Sequence, residues 1–165
     1  MSTIEVRVAD PAEYPVVGEL VVEAYRTVGH EQDAGYEAYM RDVAARAGRS
    51  SVLVGLLEGS IVGTVTYVHP GSPMAEVDDP DGANVRMLGV AAAMRGRGVG
   101  EALVRGCIER ARADGALRVR LHTEPFMAAA QRLYVRLGFV RDPAHDWTPV
   151  PDVDLLAYVL DLVPA

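Results

Sequence analysis

Apolar and polar positions alternate over residues 4–8, where Ile4, Val6 and Val8 stand against Glu5 and Arg7, and this predicts a first strand. The period then lengthens. Asp10 followed by Pro11 reads as a helix start: a cap acceptor, then a residue whose missing N–H has no cost in a first turn. Tyr14, Val17, Leu20, Val21 and Ala24 recur at the spacing of one buried helical face. A polar, glycine-punctuated connection over 25–35 leads to a second helix over 36–47, striped by Tyr36, Tyr39, Met40 and Val43. Residues 51–57 and 61–68 are β-rich runs flanking Glu58, Gly59 and Ser60, a hairpin whose strands are expected to be antiparallel neighbours.

The pattern breaks over 69–83, where Pro, Gly and Asp predict an exposed loop with much of the negative charge, long enough to serve a site. A strand over 84–90 and a helix over 98–114 follow. In that helix Val99, Leu103, Cys107 and Ala111 share one face, while Arg105, Glu109, Arg110 and Arg112 keep the other wet. Gly115 closes it. Residues 117–122 alternate strictly and make another strand, and 127–137 are helical by propensity up to Gly138. Phe139 and Val140 begin a strand, Trp147 precedes a turn over 149–152, and a last strand covers 154–162. No repeat or linker divides this map, so one α/β (α+β) domain with a mixed sheet is expected over 1–165.

Composition narrows the chemistry. The formal net charge of -7 argues against a nucleic-acid partner, and a local basic turn in an acidic chain points to a small anionic ligand. No apolar run is long enough to span a bilayer and no basic-then-apolar leader opens the chain, so no membrane partner is expected. The lone Cys107 has no partner for an internal disulfide, which fits a reducing cytoplasm, and reads as a small buried residue. His30, His69, His122 and His145 show no ligand spacing, so no metal is expected.

The basic turn is the run from Arg95 through Gly96, Arg97, Gly98 and Val99 to Gly100, placed between the predicted strand and the predicted helix. The first amides of a helix have no intrahelical partner, and glycines leave them bare, so the turn is an anion site with Arg95 and Arg97 to add forked donors. The spacing differs from the Gly-x-Gly-x-x-Gly of dinucleotide folds, and no Lys-Ser or Lys-Thr follows as in a P-loop. A glycine-eased turn at a tight packing contact is the plainer alternative.

The same run matches the Q/R-x-x-G-x-G/A motif of the GNAT superfamily of acetyl-coenzyme A-dependent N-acetyltransferases, and the chain resembles that family at a second place. Leu133, Tyr134, Val135, Arg136, Leu137, Gly138 and Phe139 are similar to its Leu-Tyr helix ending in Gly-Phe. The resemblance implies a GNAT-like mixed, mostly antiparallel, splayed sheet flanked by helices. It implies an acetyl-coenzyme A cradle of Arg95, Gly96, Arg97, Gly98, Val99, Gly100 and Glu101, with backbone pairing to the pantetheine arm at Leu88, Gly89 and Val90. At the start of the second helix, where the family often has Asn, this sequence has Met127. The reaction implied is direct attack of a primary amine, on a small molecule or a peptide or protein, on the thioester. Tyr134 would be the general acid, with a backbone N–H near Val90 polarising the carbonyl. Candidate bases are Glu124, Glu76, Asp78 and His30, and Glu31, Asp33 and Tyr36 would line the acceptor side with Glu76 and Asp78. An acyl-coenzyme A-binding regulatory or accessory protein is the alternative, and exposed edge strands are compatible with a homodimer.

Overall fold

The computed structural model describes residues 3–27 and 34–162. Strand order in the sheet is β1-β2-β3-β4-β5-β8-β6, with β7 paired to β8. The strands are β1 (Glu5–Val8), β2 (Ser51–Leu57), β3 (Ser60–Val68), β4 (Gly82–Val90), β5 (Arg118–Thr123), β6 (Val140–Arg141), β7 (Trp147–Val150) and β8 (Val153–Asp161). The helices are α1 (Tyr14–Thr27), α2 (Ala34–Arg41), α3 (Val43–Ala47), α4 (Val99–Ala113) and α5 (Ala128–Arg136). The β4–β5 ladder is parallel, while β1–β2, β2–β3, β5–β8, β6–β8 and β7–β8 are antiparallel. The sheet is therefore mixed and mostly antiparallel, as the resemblance implied.

The chain gathers into two compact units, one over Met1–Tyr67 and Met87–Cys107, the other over Val68–Arg86 and Ile108–Ala165. In the first, the 51–68 hairpin forms as expected, with Glu58 (φ 51) and Gly59 (φ 82) supplying the left-handed turn that matches strand twist. Its core joins Ala9, Val17, Val43, Val52, Val54 and Leu56, and beside it Val21, Val22, Met40 and Met87. The start of α4 seats on Gly63, where an added Cβ would lie 2.7 Å from Val99 Cγ1 and 3.0 Å from Leu103 Cδ1. That close approach fixes where the helix begins. The single helix expected over 36–47 is instead two. Asp42 stops α2 and its side chain accepts from the Ala45 amide at 3.2 Å, so a cap acceptor inside the apolar stripe starts a new helix.

In the second unit the register Leu121↔Tyr158 places the buried faces of β5 and β8 together. Tyr134 on α5 packs there with its ring tilted against both neighbours, 5.9 Å from Phe139 and 6.1 Å from Tyr158 between ring centroids. The opposite alternation of β5 puts Arg118, Arg120 and His122 on a polar face. The turn over 149–152 is shorter than expected, because β7 runs to Val150 and Pro151 and Asp152 (φ 67) make the bend. Cys107 is buried, as its helical face requires.

Candidate active site

The first unit builds an anion site from backbone. At Met87, on the way to the end of β4, the chain takes φ 53, a left-handed conformation uncommon for a residue with a side chain, held because Met87 is packed with Val21, Val22 and Met40. Leu88, Gly89 and Val90 complete the strand, and the Ala91 amide is taken by the Val62 carbonyl at 2.9 Å. One 3-10 turn (Ala92–Met94) leads to Gly96 (φ 77) and Gly98 (φ 82), both exposed, with no atom within 4 Å of where a Cβ would stand. These φ values turn the chain into α4, whose first ladder bond runs from the Ala102 amide to the Gly98 carbonyl at 3.0 Å. The amides of Val99, Gly100 and Glu101 therefore lie outside the helix ladder at the positive end of its dipole. Val99, 1% exposed, anchors that end in the core. The expected cradle residues are thus contiguous, with residues 95–98 exposed and Val99 buried beneath them, and helix amides of this kind suit phosphate oxygens.

The side chains around this turn do different work. Arg97 is exposed. Arg95 Nη2 instead donates to the Ala24 carbonyl (3.0 Å) and the Thr27 hydroxyl (2.6 Å) at the end of α1. Glu101 lies 3.8 Å from Arg105 along the helix surface. Tyr36 lies on α2, half-exposed, 5.9 Å from Tyr39 between centroids. His30, Glu31 and Asp33 lie outside the described residues.

The second unit builds its polar face from side chains. Asp79, from the loop before β4, takes a forked pair from Arg118 (2.8 and 3.0 Å) and a further bond from Arg120 (2.8 Å). Arg118 in the first place holds the Asp79 carboxyl well below the usual carboxylate range; burial opposes this, and Arg120 adds to it. Arg120 also reaches Asp142 at 2.9 Å, and Asp142 meets His145 Nδ1 at 2.6 Å. His122 Nε2 then meets the His145 carbonyl at 3.0 Å. Its Nδ1 faces Glu76 Oε2 at 3.5 Å, without hydrogen-bond geometry, and the side chain is 2% exposed. The other Glu76 oxygen lies 3.1 Å from Arg86 Nε. The acidic loop is thus largely neutralised by arginines, with Asp78 left exposed and Glu76 paired with Arg86 while its other oxygen faces His122.

His122 is the residue that reading for ligand spacing passed over. Its signal was the strict alternation itself, which puts a histidine third on a face begun by two arginines. Because a carbonyl only accepts, Nε2 carries a hydrogen toward His145, and Nδ1 is the ring nitrogen turned toward a carboxylate. Tyr134, 5% exposed, sits in the same unit within its aromatic cluster. Glu124 contributes its carbonyl to the Met127 amide (3.0 Å) and to Gln131 Nε2 (3.1 Å). Met127 caps α5 with no side-chain bond, and Gln131 instead ties the preceding loop through Glu124 and Pro125. No group of metal-ligating side chains occurs among the described residues.

Residues 15–139 match the acetyltransferase (GNAT) family. The chain is similar to a mycothiol acetyltransferase of Parafrankia sp. (strain EAN1pec), 39% identical over 88 residues, a match that covers 48% of this chain and 27% of that protein's length. The fold is that of a GNAT-family acetyltransferase from Staphylococcus aureus Mu50 (TM-score 0.79, 15% identity, 98% of this chain and 100% of that one). It is also similar to that of a Salmonella typhimurium protein assigned as an acetyltransferase and solved with its cofactor acetyl-CoA (TM-score 0.69, 20% identity, 98% and 95%).

Proposed function

Because this chain belongs to the acetyltransferase (GNAT) family, we propose that it is an acetyl-coenzyme A-dependent N-acetyltransferase acting on a primary amine. The observation that carries the reading is the left-handed Gly96–Gly98 turn, which starts α4 one 3-10 turn after β4 and sets its first amides outside the helix ladder. The amides of Val99, Gly100 and Glu101 hold the diphosphate, and Arg97 adds a solvent-screened charge. Backbone groups of Leu88, Gly89 and Val90 pair with the pantetheine arm. When bound, acetyl-coenzyme A supplies the thioester carbonyl that the amine attacks. An N–H near Val90 polarises that carbonyl, in a position where a preformed donor acts without reorganisation.

An amine attacks only as the free base, so its proton needs a destination. Glu76 is the more exposed partner of the pair, its side chain 17% exposed, and receives the proton; His122 Nδ1 behind it is the next acceptor. His122 is preferred over Glu124 because a buried nitrogen without a hydrogen-bond partner faces a carboxylate there. The Tyr134 phenol supplies the proton to the departing thiolate. Met127 at the start of α5 gives its amide to Glu124 and accepts the Gln131 amide, so its thioether is what it offers the donor.

The test is thiol release from acetyl-coenzyme A across a panel of amines, with products weighed by mass spectrometry, after calorimetry with coenzyme A. An N-acetylated product is the expected result. Tight coenzyme A binding with no turnover on any amine would select the accessory-protein reading, and absence of binding would remove both.

A further inference from the structure

The cofactor turn is joined to α1 by a contact that an anion cradle does not require. Arg95 Nη2 reaches the Ala24 carbonyl and the Thr27 hydroxyl, and Thr27 Oγ1 itself donates to Ala24 O at 2.9 Å. Both acceptors belong to the last turn of α1, and the Ala24 carbonyl lies at the negative end of its dipole, where a guanidinium is a favourable cap. The same turn of α1 also meets β4: a Cβ on Gly89 would stand 3.1 Å from Ala24 Cβ and 3.5 Å from Val21. The end of α1 is thus seated on the strand before the cradle and clasped by the first residue of the cradle motif.

The guanidinium has a second edge. Five N–H donors radiate in one plane, and both contacts to α1 come from Nη2. Nε and Nη1 have no hydrogen-bond partner among the described residues. Beyond α1 the connection continues, since Arg26 forks onto Glu37 of α2 (2.8 and 2.6 Å) and Arg41 of α2 meets Glu19 of α1 at 2.7 Å.

We propose that Arg95 is a positioning residue that ties the diphosphate turn to the last turn of α1, so that the Thr27 hydroxyl, outside the cradle, contributes to coenzyme A affinity. This rests on the acetyl-coenzyme A reading above. Held on Ala24 and Thr27, the side chain is already ordered when a diphosphate arrives, so binding has no further ordering cost there. Released, the long side chain must be ordered at each binding event.

Calorimetric titration of coenzyme A into the full chain tests this with Thr27→Val, Thr27→Ser, Arg95→Ala and the Arg95→Ala/Thr27→Val double variant, each with its thermal midpoint. Thr27→Val is expected to weaken binding about fivefold with an unchanged midpoint, and Thr27→Ser to restore it. Arg95→Ala should weaken it at least as much, and the double variant no more than Arg95→Ala, because the Thr27 hydroxyl acts only through Arg95. Wild-type affinity in Thr27→Val, or additive losses in the double variant, would overturn the proposal, as would a lowered midpoint with affinity intact. Failure of the unaltered chain to bind coenzyme A would overturn the functional reading instead.

Discussion

The turn over 95–100 and the polar face of β5 recognise charge by opposite means. The turn uses amides set by backbone conformation, over residues contiguous in sequence, with its nearest arginine either exposed or committed to α1. The β5 face uses side chains brought from separations of 39 and 22 residues, as in Arg118 with Asp79 and Arg120 with Asp142. A backbone site tolerates changes of side chain and resists changes of φ. A side-chain network does the reverse: each carboxylate neutralises a partly buried cation, so one lost charge leaves others unpaired. The two regions should therefore fail differently under mutation, pH and salt.

The largest effect belongs to the proton-accepting end of the side-chain region. Glu76→Gln, or His122→Gln, is expected to lower kcat about 100-fold or more while coenzyme A binding is kept. A pH–rate profile separates this from a structural loss, because the acid limb should move or vanish in the variant. Retention of both kcat and the profile would return the base to Glu124 or to water.

Next comes the keystone of the same face. Asp79→Ala leaves Arg118 and Arg120 without their shared carboxylate, but Arg120 keeps Asp142 and Arg118 is partly exposed, so the cost in denaturant unfolding should be about 1–3 kcal/mol. The pH dependence has a definite sign. Asp79 and Asp146 both titrate below their ordinary value in the folded chain, Asp146 at about 2 against 3.8 because Arg141 and the Ala157 amide hold its anion. Their contribution is complete above the unfolded value of 3.8 and disappears as pH falls through the folded one. Acid unfolding below about pH 4 should thus be blunted in Asp79→Ala, which starts lower and has less to lose.

This contrast also explains what the sequence made legible. The turn could be read from Arg95 to Gly100 because its signal is local: left-handed glycines before an apolar period specify bare amides regardless of what surrounds them. Strands and helices were legible for the same reason, and Asp42 was missed because a single cap acceptor interrupts an otherwise continuous stripe. The Glu76–His122 pair was only half legible. Alternation put His122 on a face with Arg118 and Arg120, but nothing local says which loop carboxylate covers that face. Asp78 and Glu76 looked equivalent in the chain; folding turned Glu76 onto His122 and left Asp78 exposed. Arg95 was half legible in a similar way, since its motif advertises a phosphate contact but nothing local says that its Nη2 is held on α1.

On the backbone side, Gly98→Ala tests conformation without steric conflict. Nothing lies within 4 Å of the new Cβ, but φ 82 is left-handed, a conformation that costs an L-residue about 1–2 kcal/mol. Coenzyme A affinity should fall about tenfold with little change in the pH dependence of stability. An unchanged affinity would mean that the turn is a packing device.

The smallest effect is the sharpest discriminator. Arg97→Ala removes an exposed charge beside the same amides. Solvent screening and side-chain entropy limit such a charge to about 0–1 kcal/mol, so coenzyme A affinity should fall by less than about fivefold in dilute buffer. The deficit should shrink further near 1 M salt, where the screening length is about 3 Å. Gly98→Ala should keep its deficit at that salt concentration, because a dihedral preference is not screened. Were Arg97→Ala the more damaging, and its deficit independent of salt, the cradle would work by its arginine fork, and the distinction between a backbone site and a side-chain face would fail at its best-defined point.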